Sequence, residues 1–495
     1  MAPAKKFAML MMFFALVNTP INAYSTEKDF VRCESTVKKW AASSLDAEVK
    51  EDRHTLRDLL FFLHIPRTGG RTYFHCFLKK LYTSHLECPR SYDKLRFDPS
   101  KPNCRLMVTH DDYSMVSKLP KERTSVVTIL RNPVDRVFSA YEFSVEVAAR
   151  FLVHPNLTSA TKMTGRIRIK NNEVSTLDIW PWKYLVPWMR EDLFARRDAR
   201  KHGEFSAIGE SNDSYDMEDI VMPLSEFIND PVAHEIIHNG ATLQVAGLTN
   251  NSYSPESHEV RHCVRKYQAL GEYVLEVAKK RLDNMLYVGL TEDHRESGTM
   301  FGNVVGLQVI SQLQPLSSNM EQAEKNKSDM SSSFQNHQPD SNYLLNSTND
   351  QKAAENVGTT NENMTVGKLM EAYETCISNL RKAQSRRRSM SLKKISPVNF
   401  SKEARLQVPD VVLQQMVSLN NLDVELYKYA QGIFAQQRKR LMQKSVEAER
   451  QVSTFSSSYG INLWTVLSLG ITVFLLLVLL FFFVNARRRI LKVKV

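Results

Sequence analysis

The stretch His64-Ile65-Pro66-Arg67-Thr68-Gly69-Gly70-Arg71-Thr72 sets two guanidinium groups and two hydroxyls around a turn bearing a proline and two glycines. Such donors match phosphate or sulfate oxygens, and the turn could aim backbone N–H groups and a helix start at the same anion. It is not a Walker loop, because no G-x-x-x-x-G-K-[ST] spacing is present. Further along, His110 is followed by Asp111 and Asp112, and Arg131 and Ser139 follow in turn. A histidine has the intrinsic pKa to take a proton near neutrality, and either aspartate could orient it. Arg67 and the turn amides would hold a doubly anionic group and offset charge on a leaving oxygen. Arg131 and Ser139 would hold a second phosphate.

Apolar strands must position these residues. Residues 59–63 are a continuous apolar run of the kind shown by a strand buried on both faces. After the turn, Phe74, Phe77, Leu78 and Leu81 fall at the spacing of an amphipathic helix. A second strand over 105–109 ends at His110, and a third over 125–130 ends at Arg131. A helix from Val134 carries Arg136, Phe138, Ser139 and Tyr141. Helical pattern returns over 219–240 and 265–281, a strand over 284–290 follows, and a final core helix spans 409–441. Strands alternating with helices imply an α/β fold with a parallel sheet covered on both faces. Ligands of such sheets bind outside the carboxyl ends of the strands, so Arg67, His110 and Arg131 are expected on one rim.

The charge balance is +11, from 65 basic and 54 acidic side chains in 495 residues. That excess suits anionic cofactors or acidic substrates. It is too diffuse for nucleic acid, and no zinc-finger spacing, RNP motif or basic–aromatic interleaving accompanies it. Lys5 and Lys6 precede a short apolar run, which reads as a signal peptide over 1–23. Residues 463–484 have the length and content of a transmembrane helix, and the basic tail 485–495 places the preceding chain on the luminal side. Between these ends the reading is a lead-in over 24–58, a core over 59–312, a polar disordered insertion over 313–395, a second part of the core over 396–443 and a stem over 444–462. Seven N-x-[ST] sequons, at Asn156, Asn212, Asn250, Asn326, Asn346, Asn363 and Asn399, fit a luminal chain. Six cysteines are too sparse for a disulfide scaffold, and their pairing is open among fifteen connectivities. Without a C-x-x-C, a zinc site has no support.

The stretch 64–72 resembles the 5′-phosphosulfate-binding loop of Golgi sulfotransferases, closest to the heparan sulfate 6-O-sulfotransferases. Residues 129–139, Ile-Leu-Arg-Asn-Pro-Val-Asp-Arg-Val-Phe-Ser, resemble their 3′-phosphate-binding segment, and residues 287–292 and 421–427 resemble later blocks. The resemblance implies a P-loop-like sulfotransferase fold, 3′-phosphoadenosine 5′-phosphosulfate as donor, no metal and in-line transfer with His110 as base. It implies that Arg67, Thr68, Gly69, Gly70, Arg71, Thr72, Arg131 and Ser139 bind the donor, Arg67 also acting in catalysis. Two features depart from the glycan enzymes. Arg67 stands where they usually carry lysine and Arg71 where they carry threonine, and their anchor is typically N-terminal. A loop arginine is similar to that of animal tyrosylprotein sulfotransferases. With the signal peptide and C-terminal span, the whole resembles the plant tyrosylprotein sulfotransferases.

That family implies a type I Golgi membrane enzyme acting on secreted peptide and protein precursors with acidic residues near the target tyrosine. Arg166-Ile167-Arg168-Ile169-Lys170 and Arg196-Arg197 are the clusters that could read such residues. The basic stretch 381–394 reads as a solvated run ahead of a docking surface. Two rivals stand beside this reading: a heparan-type glycan O-sulfotransferase and a non-catalytic membrane receptor that kept the fold.

Overall fold

The computed structural model describes residues 27–48, 54–88, 104–153, 215, 222–231, 233–313, 365–392, 400–458, 468 and 470–482. The expected signal peptide, the clusters at 166–170 and 196–197, and every sequon except that at Asn250 lie outside them. Helix α1 spans 27–46. Strand β1 (Leu59–Leu63) leads through the turn into α2 (Gly70–Tyr73), a single π turn (Phe74–Leu78) and a closing turn to Leu81. Strands β2 (Leu106–Thr109) and β3 (Thr124–Leu130) follow, and α3 (Pro133–Val153) starts directly after β3. Then come α4 (Gly240–Val245), α5 (Ser257–Lys266), α6 (Gly271–Asp283), β4 (Tyr287–Leu290) and α7 (His294–Phe301). The later helices are α8 (Val366–Leu392), α9 (Asp410–Leu419) and α10 (Asn421–Ser458).

The four strands form one parallel sheet in the order β2-β1-β3-β4. Every strand residue is buried, which is why β1 reads as an unbroken apolar run and why polar strand residues such as Thr128, whose hydroxyl donates to the Leu63 carbonyl, face partners within the protein rather than solvent. From β1 the chain passes to β2 on one side and then returns to β3 on the other. The crevice between β1 and β3 is therefore a topological switch point, where open sheets of this kind bind ligands.

Several sequence expectations are corrected. The stretch 265–281 is not one helix, because α5 ends at Lys266 and Tyr267 turns extended at φ −125° before α6. The region 219–240 holds only short turns of helix, at Leu224–Phe227 and His234–Ile237. Residues 409–441 form two helices, broken at Asn420. The largest correction concerns 313–395. From Val366 it is the helix α8, docked on the core by buried Leu369, Tyr373 and Ile377. Tyr373 stacks on Phe77 with ring centres 3.8 Å apart, and a disulfide joins Cys376 to Cys76. The other bridges are Cys33–Cys263, which pins α1 to α5, and Cys88–Cys104. Asn250 is also committed, its backbone and amide nitrogens both donating to the Glu235 carboxylate.

The chain divides into two compact units, 1–435 and 436–495. In the second, residues 470–482 are helical and expose Ile471, Phe474, Leu477 and Phe481. Among the described residues no helix is both long and apolar enough to cross a membrane.

Candidate active site

Because β1, β2 and β3 are parallel neighbours, the residues after their last positions share one edge of the sheet. His64 to Thr72, His110 and Arg131 are brought together there as the sequence leads one to expect. The turn between β1 and α2 is closed by Thr68 Oγ1, which donates to the Ile65 carbonyl at 2.9 Å. Thr291, just past β4, donates to the carbonyls of Thr68 and Leu130 and so ties the turn to β3. Arg67 sits at φ 69° and Gly69 at φ 80°, both left-handed. For a non-glycine residue that conformation costs on the order of 1–3 kcal/mol and persists where the surroundings enforce it. Gly70 is required by a close approach: a Cβ there would lie 2.3 Å from Cδ2 of the His64 ring. At the start of the helix that begins at Gly70, the Thr72 amide donates to the Gly69 carbonyl at 2.9 Å, and the amides before it have no acceptor within the helix.

Arg67 reaches across the crevice to α3. Its Nε and Nη2 receive the Ser139 hydroxyl oxygen as acceptor at 3.1 and 2.9 Å, and its guanidinium lies 4.4 Å from the centre of the Phe143 ring. Arg131 donates from Nη1 to the Arg67 carbonyl at 3.2 Å. Its Nε is buried and, among the described residues, has no hydrogen-bond acceptor; Glu292 stands 3.9 Å away. Burial, then the neighbouring Arg67 charge, pushes the Arg131 pKa down. Arg71 is exposed on the first turn of α2 and Thr72 is half-buried beside it.

His110 and His64 face each other with ring centres 4.2 Å apart, and both are buried. Burial, then His110 and the cations Arg67 and Arg71, hold the His64 pKa well below the ordinary value, so His64 is neutral at pH 7. His110 Nδ1 lies 2.8 Å from the His64 carbonyl oxygen. A carbonyl can only accept, so Nδ1 carries the proton and the lone pair of a neutral ring is on Nε2. The two aspartates have other work. Asp112 caps the following 3-10 turn through Ser114 and accepts from the backbone and hydroxyl of Thr249, while Asp111 accepts from Thr109 Oγ1. The orienting contact for His110 is thus a backbone carbonyl.

The two later sequence blocks meet at this edge. Glu292 accepts from the Asn132 amide at 2.9 Å and from the Tyr427 hydroxyl at 2.7 Å. Asp423 is buried against Arg136 at 2.7 Å and caps α4 through Ala241 and Thr242. These contacts set the position of α3 and α4 behind the site. Sequence reasoning missed Phe143, Glu292 and Gln244 as parts of this arrangement. For Gln244 the signal was an amide side chain inside the mostly apolar run 241–248, where Thr242 is the other polar residue.

The chain is 56% identical over 488 residues, 96% of its own length and 96% of the other's, to a protein from Arabidopsis thaliana named protein-tyrosine sulfotransferase. It belongs to the protein-tyrosine sulfotransferase family. No protein-family profile matches the chain. As a member of that family it is an enzyme, a sulfotransferase, which sets aside the non-catalytic reading. The left-handed Arg67, the Arg131 Nε donor and the Ser139 hydroxyl line the crevice between β1 and β3, and the imidazole of His110 stands next to them just past β2.

Proposed function

We propose that this sulfotransferase moves the sulfuryl group of 3′-phosphoadenosine 5′-phosphosulfate to tyrosine hydroxyls of secreted peptide and protein precursors. What supports the reading is the oriented His110 next to a crevice lined by arginines, since tyrosine transfer needs both a base and an anion clamp. The residues fit the donor chemically. Arg131 offers a buried Nε without an acceptor among the described residues, and Ser139 adds a hydroxyl, which suits the 3′-phosphate. Thr68 to Thr72, with the helix-start amides, suit the 5′-phosphosulfate.

The donor supplies an activated sulfuryl group. The acceptor phenol, with a pKa near 10, is a weak nucleophile until its proton leaves. His110 Nε2 takes that proton as the phenol oxygen bonds to sulfur, and Nδ1–H stays on the His64 carbonyl, which stabilises the imidazolium formed. The bond from sulfur to the 5′-phosphate oxygen breaks in line, and Arg67 offsets the charge on that oxygen with a planar, permanently charged fork. His110 is 1% exposed, so acceptor binding has to open a path to Nε2.

The proposed setting is the Golgi lumen, with a signal peptide at 1–23 and a type I anchor at 463–484. Exposed apolar side chains along 470–482 favour that anchor. Acidic residues near the target tyrosine fit the basic balance of the chain. The test is incubation of purified enzyme with labelled donor and, in parallel, an acidic tyrosine peptide, its phenylalanine analogue and a heparan-type glycan. Label in the tyrosine peptide alone is expected. Label in the glycan would defeat the tyrosine reading.

A further inference from the structure

Gln244 projects from α4 into the space between the ends of β1 and β2 and is 2% exposed. Its amide nitrogen lies 3.2 Å from the His64 carbonyl oxygen, 3.1 Å from that of His110 and 3.1 Å from that of Asp111. Three carbonyl oxygens around one end of the side chain fix which end is NH2, because an amide oxygen there would face only acceptors. The His64 carbonyl is the one that also accepts from His110 Nδ1. One oxygen therefore serves both the imidazole and Gln244, and the same amide grips the main chain of His110 itself.

We infer that Gln244 is a positioning residue for sulfuryl transfer, fixing the carbonyl that orients His110. The inference rests on His110 being the base. Without the amide, the His64 carbonyl and the His110 main chain lose their shared anchor, and the imidazole loses the fixed partner that sets its tautomer. The helix carrying Gln244 is itself held, since Asp423 accepts from Ala241 and Thr242 at its start and pairs with buried Arg136. Gln244 thus links the frame of the fold to the proton-transfer residue without touching the arginines of the crevice in any contact described above.

Gln244→Met, close in size but without a donor, separates this role from a merely structural one. Turnover of the tyrosine peptide is expected to fall roughly 10- to 100-fold, the scale of a misplaced catalytic group. The KM for donor and the Kd of adenosine 3′,5′-bisphosphate are expected to hold, and in a His110→Ala background the same change should leave the residual rate as it was. Unchanged turnover, or nucleotide affinity falling in step with turnover, would overturn the inference. If thermal melting shows that the Met variant does not fold, Gln244→Asn, which withdraws the amide by one methylene, is read in the same way. Normal turnover by His110→Ala alone would remove the base reading; inactive His110→Ala beside fully active Gln244→Met would remove only the role of Gln244.

Discussion

Arg67 and Ser139 share a two-pronged hydrogen bond, with Nε and Nη2 of the arginine at 3.1 and 2.9 Å from the serine oxygen. Their sequence positions suggest separate duties, one at the transferring group and one at a second phosphate. The structure joins them across the crevice, β1 on one side and α3 on the other. Hydrogen bonds to charged groups contribute about 1.5–3 kcal/mol, so Ser139→Ala should weaken binding of adenosine 3′,5′-bisphosphate by roughly tenfold or more. Calorimetric titration measures this. Because the two side chains act on each other, Arg67→Ala and Ser139→Ala should combine less than additively; additive losses would show that they act apart.

The pair Arg136–Asp423 is almost fully buried, at 2% side-chain exposure on each partner. Removing one partner strands a charge in the core and usually costs about 3–5 kcal/mol. Asp423→Ala also strips the α4 cap. It should lower the denaturation midpoint strongly, whereas Glu425→Ala, on the exposed face of α10, should leave it nearly unchanged.

The Cys76–Cys376 bridge closes a sequence separation of 300 residues and holds α8 on the helical segment that follows the turn after β1. Loss of a native disulfide typically costs about 2–5 kcal/mol. Replacing both cysteines by alanine should lower the melting temperature and speed proteolytic cutting within 366–392. Non-reducing peptide mapping should recover Cys33–Cys263, Cys76–Cys376 and Cys88–Cys104.

Acid should destabilise the fold before it protonates most carboxylates. Burial, then Arg71 and Lys79, lowers the His75 pKa to about 4, and burial first of all lowers that of His64. Between the folded and unfolded pKa values the unfolded chain binds more protons, so these histidines support the fold fully above pH 6.5 and lose that support as pH falls toward 4. For His75 the change is on the order of 3 kcal/mol. Melting followed from pH 7 to 4 should show the decline, and His75→Gln should flatten it; a midpoint rising over that range would contradict the assignment.

The parts of this fold legible from the sequence are those whose physics is local. A parallel strand buried on both faces shows a run dominated by apolar residues, and β1, β2 and β3 each end at a candidate site residue, so their shared rim followed from the parallel topology. Helix α8 was not legible, because Leu369, Tyr373 and Ile377 are few apolar anchors in a polar stretch. It is held by a cross-link to a residue 300 positions away, which no local pattern encodes. The break at Tyr267 is a turn of backbone inside a helical composition. His110 was visible as a strand-end histidine, but the carbonyl that orients it is a main-chain atom of His64 and leaves no trace in residue type. Asp111 and Asp112, the obvious partners by adjacency, are bonded to Thr109, Ser114 and Thr249.

The most direct measurement is a single-turnover experiment with enzyme, saturating donor and tyrosine peptide, comparing the unaltered chain with His110→Ala. A positioned base contributes roughly 100- to 10,000-fold. Transfer by His110→Ala should be slower on that scale while adenosine 3′,5′-bisphosphate binds as before. Transfer at close to the original rate would contradict the assignment of His110 as the residue that takes the phenol proton.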